Sequence, residues 1–91
     1  MQGRRVDAKP DGTPLLQPGD YGKDVDGFWH CCPPQPVGEW VEYFFGNLRA
    51  HTVVEHEDRT ITVSPSILIT RRSPEVSTWH GFLERGVWRQ V

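Results

Sequence analysis

No window of this sequence approaches the roughly 18 apolar residues of a membrane-spanning helix. The opening MQGRRVDAKPDG also holds no apolar segment of signal-peptide length. The chain is therefore expected to be soluble and intracellular, with no membrane partner. A basic excess is missing too: ten Lys and Arg stand against twelve Asp and Glu, for a net charge of −2. Nucleic-acid binders depend on neutralising phosphates, usually with a basic stripe. Here the basic pairs Arg4-Arg5 and Arg71-Arg72 are short and lie among acids, so nucleic acid is excluded as the expected partner.

Cysteine is scarce. The two present, Cys31 and Cys32, are adjacent, which argues for thiols in a reducing compartment rather than a disulfide staple. No Cys-x-x-Cys occurs, no Gly-x-Ser-x-Gly elbow surrounds a serine, and the nine glycines are scattered through turns rather than gathered into a phosphate-cradling loop. These absences remove the commonest signatures of redox, hydrolytic and nucleotide-transfer enzymes.

What the chain does have is aromatic residues. Four Trp, four Phe and two Tyr in 91 residues are enough to build the core of one small domain. Residues 1–27 are rich in turn-formers, among them Pro10-Asp11-Gly12, Pro18-Gly19-Asp20 and Gly27. They read as an extended N-terminal arm that packs Leu15, Leu16 and Tyr21 onto a β domain spanning 28–91. Phe28 to Cys32 reads as a short strand stopped by Pro33-Pro34. Over 37–48, apolar residues at 37, 40, 41, 44, 45 and 48 follow helical spacing and predict one short helix.

From His51 onward the period changes to two. Val53-Val54 and Thr60-Ile61-Thr62-Val63 flank Glu57-Asp58-Arg59 as a hairpin, and Ile67-Leu68-Ile69 forms a further strand. Trp79–Leu83 and Val87–Val91 flank Glu84-Arg85-Gly86 as a second hairpin, with Gly86 where a tight turn requires positive φ. The predicted fold class is mainly β: a small antiparallel sheet of hairpins with one short helix.

The strings "HTVVEHEDRTITVSPSILI" and "WHGFLERGVWRQV", with looser support from "PGDYGK" and "GFWHC", carry a likeness. On these residues, from about residue 18 to the end, the chain resembles a family of small proteins of uncharacterised function encoded by bacteriophages and prophages. The resemblance implies a phage origin, action in the host cytoplasm and a small β domain; it brings no catalytic residues. One departure stands out. The family tends to carry Gly at the tip of the first hairpin, where this chain has Arg59, and a side chain there is strained if φ is positive. Related phage proteins with a Cys-x-x-Cys pair look zinc-binding, and this chain lacks that pair.

Three kinds of chemistry can be weighed from the residues. A metal site built from His30, Cys32 and His80 lacks the two-to-four-residue cysteine spacing that structural zinc favours. Strand alternation sends Cys31 and Cys32 to opposite faces, predicting one buried thiol and one partly exposed, with no metal and no cofactor. A hydrolytic set drawn from Ser64 or Ser66, His80 and Asp58 has no supporting context, so no enzyme is expected.

The repeated dipeptide Trp29-His30 and Trp79-His80, near Arg71 and Arg72, offers flat rings, imidazoles and cations. These are materials for gripping a small anionic aromatic ligand such as a nucleotide. The expected function is that of a phage accessory protein acting by binding: counter-defence sequestration of a host nucleotide signal, or inhibition of a host protein. The candidate ligand-binding residues are Trp29, His30, Arg71, Arg72, Trp79 and His80. A metal-binding structural module is the alternative. Exposed edge strands on so small a sheet favour a homo-oligomer.

Overall fold

A computed structural model of the chain describes residues 1–8, 12, 15–36, 43–71 and 76–91. Nine strands are described: β1 (Arg4–Arg5), β2 (Asp20–Lys23), β3 (Trp29–Cys31), β4 (Gly46–Asn47), β5 (Thr52–Glu55), β6 (Ile61–Ser64), β7 (Ile67–Arg71), β8 (Ser77–Glu84) and β9 (Val87–Gln90). They make a four-stranded sheet in the order β1-β2-β3-β4, the hairpin β5-β6, and a three-stranded sheet β7-β8-β9. Only the β1–β2 pair is parallel. The fold is mainly β, as the alternation of the second half predicts. Among the described residues no helix is long and apolar enough to cross a membrane.

The second half forms where its pattern lies. In β8 the alternate residues Trp79, Gly81 and Leu83 are buried, while His80 and Phe82 are partly covered and Glu84 is exposed on the other side. The β8–β9 turn needs φ of +45° at Arg85 and +75° at Gly86, the two consecutive positive values that a tight two-residue hairpin demands. Arg59 also adopts positive φ, +72°. The turn of the first hairpin thus keeps the conformation that suits Gly, and contacts made by Arg59 itself offset the strain. Its guanidinium meets Asp7 at 3.0 Å and its carbonyl accepts Arg5 Nη1 at 3.1 Å.

The first half departs from expectation in three ways. The segment 1–27 supplies two strands of the first sheet, and Tyr21 is among the most deeply buried side chains of the molecule. Leu16 is buried with it, whereas Leu15 is 84% exposed. Residues 1–3 run beside β9, where Gly3 N–H donates to the Gly86 carbonyl and Trp88 N–H to that of Met1. The third departure is the predicted helix: residues 43–45 are irregular and Gly46–Asn47 pairs with His30–Cys31 as a strand. Tertiary pairing of Gly46–Asn47 with β3 overrides the helical spacing there. The rest of that helix, 37–42, lies outside the described residues.

A single core joins the three sheets. Tyr21, Cys31, Leu48, Ile61, Val63, Ile67, Trp79, Leu83 and Trp88 pack into one cluster, with Trp29, Phe44, Val53 and Ile69 against its margin. A second tie is polar. Arg5, from β1, bonds to Asp7 and Glu55 and lies over the Trp29 ring, binding the first sheet to β5.

Candidate functional site

The six residues singled out from the sequence fall into two places. Trp29 and His30 sit on β3, and Arg71, Trp79 and His80 on β7 and β8 of the third sheet; Arg72 lies outside the described residues. Trp29 is half-buried, with the Arg5 guanidinium 5.0 Å and the Lys23 ammonium 5.1 Å from its ring centroid. Both cations are already neutralised by Glu55, and Arg5 by Asp7 as well. His30 Nε2 lies 2.7 Å from Asp24 Oδ2. This hydrogen bond, followed by those from Phe28 N–H and Asp26 N–H, holds the Asp24 carboxyl below the usual carboxylate range.

Trp79 is 3% exposed and meets Trp88 edge-to-face at 5.5 Å. A ring so enclosed presents no face to a ligand. Alternation also puts Trp79 and His80 on opposite sides of β8, so the sheet separates the ring from the imidazole. Arg71 lies on the Trp79 side, its guanidinium 4.8 Å from the Phe44 ring centroid. Among the described residues, then, Trp79 and His80 do not face one site, and Trp29 with His30 lies on a different sheet.

The cysteines differ from expectation as well. Both are fully buried. Burial pushes the Cys31 thiol up to about 12 and the Cys32 thiol up to about 11, the latter with help from the nearby Asp20. Cys32 follows β3 rather than lying within it, and backbone hydrogen bonds to Gly19 and Asp20 hold it beside the start of β2. Among the described residues no three His, Cys, Asp or Glu side chains are grouped to hold a metal. His30, Cys32 and His80 are engaged separately with Asp24, Gln35 and Ser66.

A concavity among the described residues was not foreseen. The outer faces of β5-β6 and β8 diverge from the Ser64-Pro65-Ser66 connection, leaving an open groove of about 600 Å³. Val54, Pro65 and Phe82 give it apolar walls, and Thr62, Ser64 and Ser66 add hydroxyls. Its far end passes into a polar cleft edged by Glu55, Glu57 and Asp58, with His56 and Arg85 shared by both. Val54 is half-exposed and Phe82 partly so, with Arg89 stacked 4.7 Å from the Phe82 ring centroid. The alternation His80, Phe82, Glu84 was visible in the sequence; that Phe82 and Glu84 line one groove with Val54 was not.

Hydrogen bonds fix this groove at both ends. Thr62 Oγ1 lies 2.7 Å from His56 Nε2 and accepts Arg85 N–H at 3.0 Å, joining the two hairpins. At the other end Ser66 is held by two imidazoles. His80 Nε2 is 2.9 Å from Ser66 Oγ, and His51 Nε2–H donates to the Ser66 carbonyl at 3.1 Å. Asp58, the acid of the hydrolytic set considered from sequence, instead lies at the β5–β6 turn. There Thr60 N–H and hydroxyl hold its carboxyl below the usual range, aided by the charges of His56 and Arg85.

The groove can receive an extended apolar segment and offers hydrogen-bonding hydroxyls along one side and charges of both signs at one end. A scan against protein-family models, a search of curated proteins and a search of solved structures each returned no match to this chain.

Proposed function

We propose that this chain is a phage-type accessory protein that works by binding a host protein, without turnover, using the groove between β5-β6 and β8 as its contact surface. The observation that carries this reading is the groove itself: an open, apolar-walled trough lined by half-exposed Val54 and partly exposed Phe82. Apolar and aromatic side chains at the centre of a concavity, with polar residues at the rim, are the usual anatomy of a protein contact. The charged end supports a protein over a nucleotide. Glu57 and Asp58 lie beside Arg85, which opposes a polyphosphate and suits a partner surface of mixed charge. The phage resemblance supplies the setting, the host cytoplasm.

The test is a binding measurement with a surface variant. A host protein captured on the immobilised chain is identified, purified and titrated against the parent and Val54→Asp. Val54 is half-exposed, so the variant should melt with the parent while its affinity falls about tenfold or more. Equal affinities would overturn the reading. So would thermal stabilisation by a member of a nucleotide panel that survives Val54→Asp.

A further inference from the structure

We propose that Ser66 is a nucleophile, activated by His80, that takes up an acyl group from a small ester seated in the groove. Three observations point there. Ser66 Oγ lies within hydrogen-bond reach of His80 Nε2, at 2.9 Å, which is the separation a general base needs. Ser66 lines the groove beside the apolar Pro65 and Phe82, so a bound ester has walls for its acyl chain. The Ser66 backbone is held by His51 through its carbonyl, which sets where the hydroxyl points. The Ser66–His80 pair is present without any partner, and a protein filling the groove would compete with the ester.

The same groove contains a second hydroxyl–imidazole pair, Thr62 with His56 at 2.7 Å. It is the poorer nucleophile. Thr62 Oγ1 already accepts the Arg85 N–H, which occupies a lone pair, and its methyl group crowds the oxygen. Ser66 Oγ has neither handicap.

With the proton of His80 on Nδ1, Nε2 accepts the Ser66 hydroxyl proton as Oγ bonds to the ester carbonyl carbon. Collapse of the tetrahedral adduct breaks the bond to the alkoxy oxygen, which departs as the alcohol carrying the proton from Nε2. Ser66 is left as an O-acyl ester. Water attacking by the same route returns the free acid and serine. Among the described residues no carboxylate reaches His80 to stabilise the imidazolium formed in each step. Acylation by a good leaving group should therefore outrun hydrolysis, and the protein should behave as a single-turnover acceptor.

The probe is p-nitrophenyl acetate with the full chain. One equivalent of p-nitrophenol should appear in a burst, and peptide mass spectrometry should place the acetyl group on Ser66. His80→Gln should slow the burst about a hundredfold or more, and Ser66→Ala should remove it, with circular dichroism confirming that both variants fold. Mapping on the parent protein is decisive even where a variant misfolds. Acetyl found only on lysine, on the terminal amine or on Thr62, the absence of a burst, or an unchanged rate in a folded His80→Gln would each overturn the proposal.

Discussion

The dipeptide Trp-His occurs twice at the start or middle of a strand, and the two copies end in different circumstances. In both, alternation turns the indole toward the core and the imidazole away from it. Trp79 is sealed against Trp88 at the centre of a three-stranded sheet. Trp29 lies at the margin of the core, closed off by Arg5 and Lys23 rather than by apolar side chains. His30 is occupied by a carboxylate six residues away in the adjoining turn, while His80 reaches a serine in the connection between β6 and β7. Identical local sequence thus gives identical facing, and long-range neighbours decide what each side chain can do.

Truncating each indole breaks the comparison most directly. Trp79→Ala should leave a core cavity and cost about 3–5 kcal/mol, whereas Trp29→Ala, whose ring is half-exposed, should cost about 1–2 kcal/mol. Urea titrations followed by circular dichroism measure both. Equal losses would mean that the cation-covered ring contributes as much to the core as the enclosed one.

A glycine tests whether the two regions stand or fall together. A Cβ at Gly22 would lie 1.7 Å from the Val6 carbonyl oxygen, where β1 and β2 run side by side. Gly22→Ala should destabilise by about 3 kcal/mol. Because Tyr21 shares one cluster with Leu83 and Trp88, the Trp79–Trp88 near-ultraviolet signal should melt at the same lowered temperature as the far-ultraviolet signal. Retention of the parent midpoint by the Trp pair alone would show that the third sheet is stable by itself.

The smallest effect concerns Asp24, whose carboxyl titrates below its unfolded value because of its bond to His30. Its contribution is complete above the ordinary carboxylate range and is lost as pH falls through the folded value. Asp24→Asn should accordingly flatten part of the fall in melting temperature between about pH 5 and about pH 3. Parallel acid limbs for parent and variant would show that the His30 contact adds nothing to the fold.

How much of this was readable in the sequence depends on how local the cause is. Both hairpins of the second half follow from strict alternation and short turns, and the positive φ of Gly86 follows from the turn alone. Of the first sheet only β3 was readable, because β1, β2 and β4 are two to four residues long, carry Arg, Asp, Lys and Gly, and exist through pairing with distant segments. One of the two thiols was expected to be partly open because alternation ignores what packs on the second face, and both Cys31 and Cys32 are buried. The groove was hidden for the same reason: Phe82 and Val54 line one groove that no local pattern encodes.

The sealed thiols have a practical use. Each is closed to solvent and remains protonated near neutral pH, so a thiol reagent can react only after the structure opens around it. Both belong to the first region, beside β2, whereas Trp79 and Trp88 report on the last one. The rate of cysteine labelling and the loss of the Trp79–Trp88 near-ultraviolet signal therefore act as two clocks placed in different sheets. Agreement between them under native conditions would mean that the molecule opens all at once, and a faster thiol clock would time the separate opening of the first sheet.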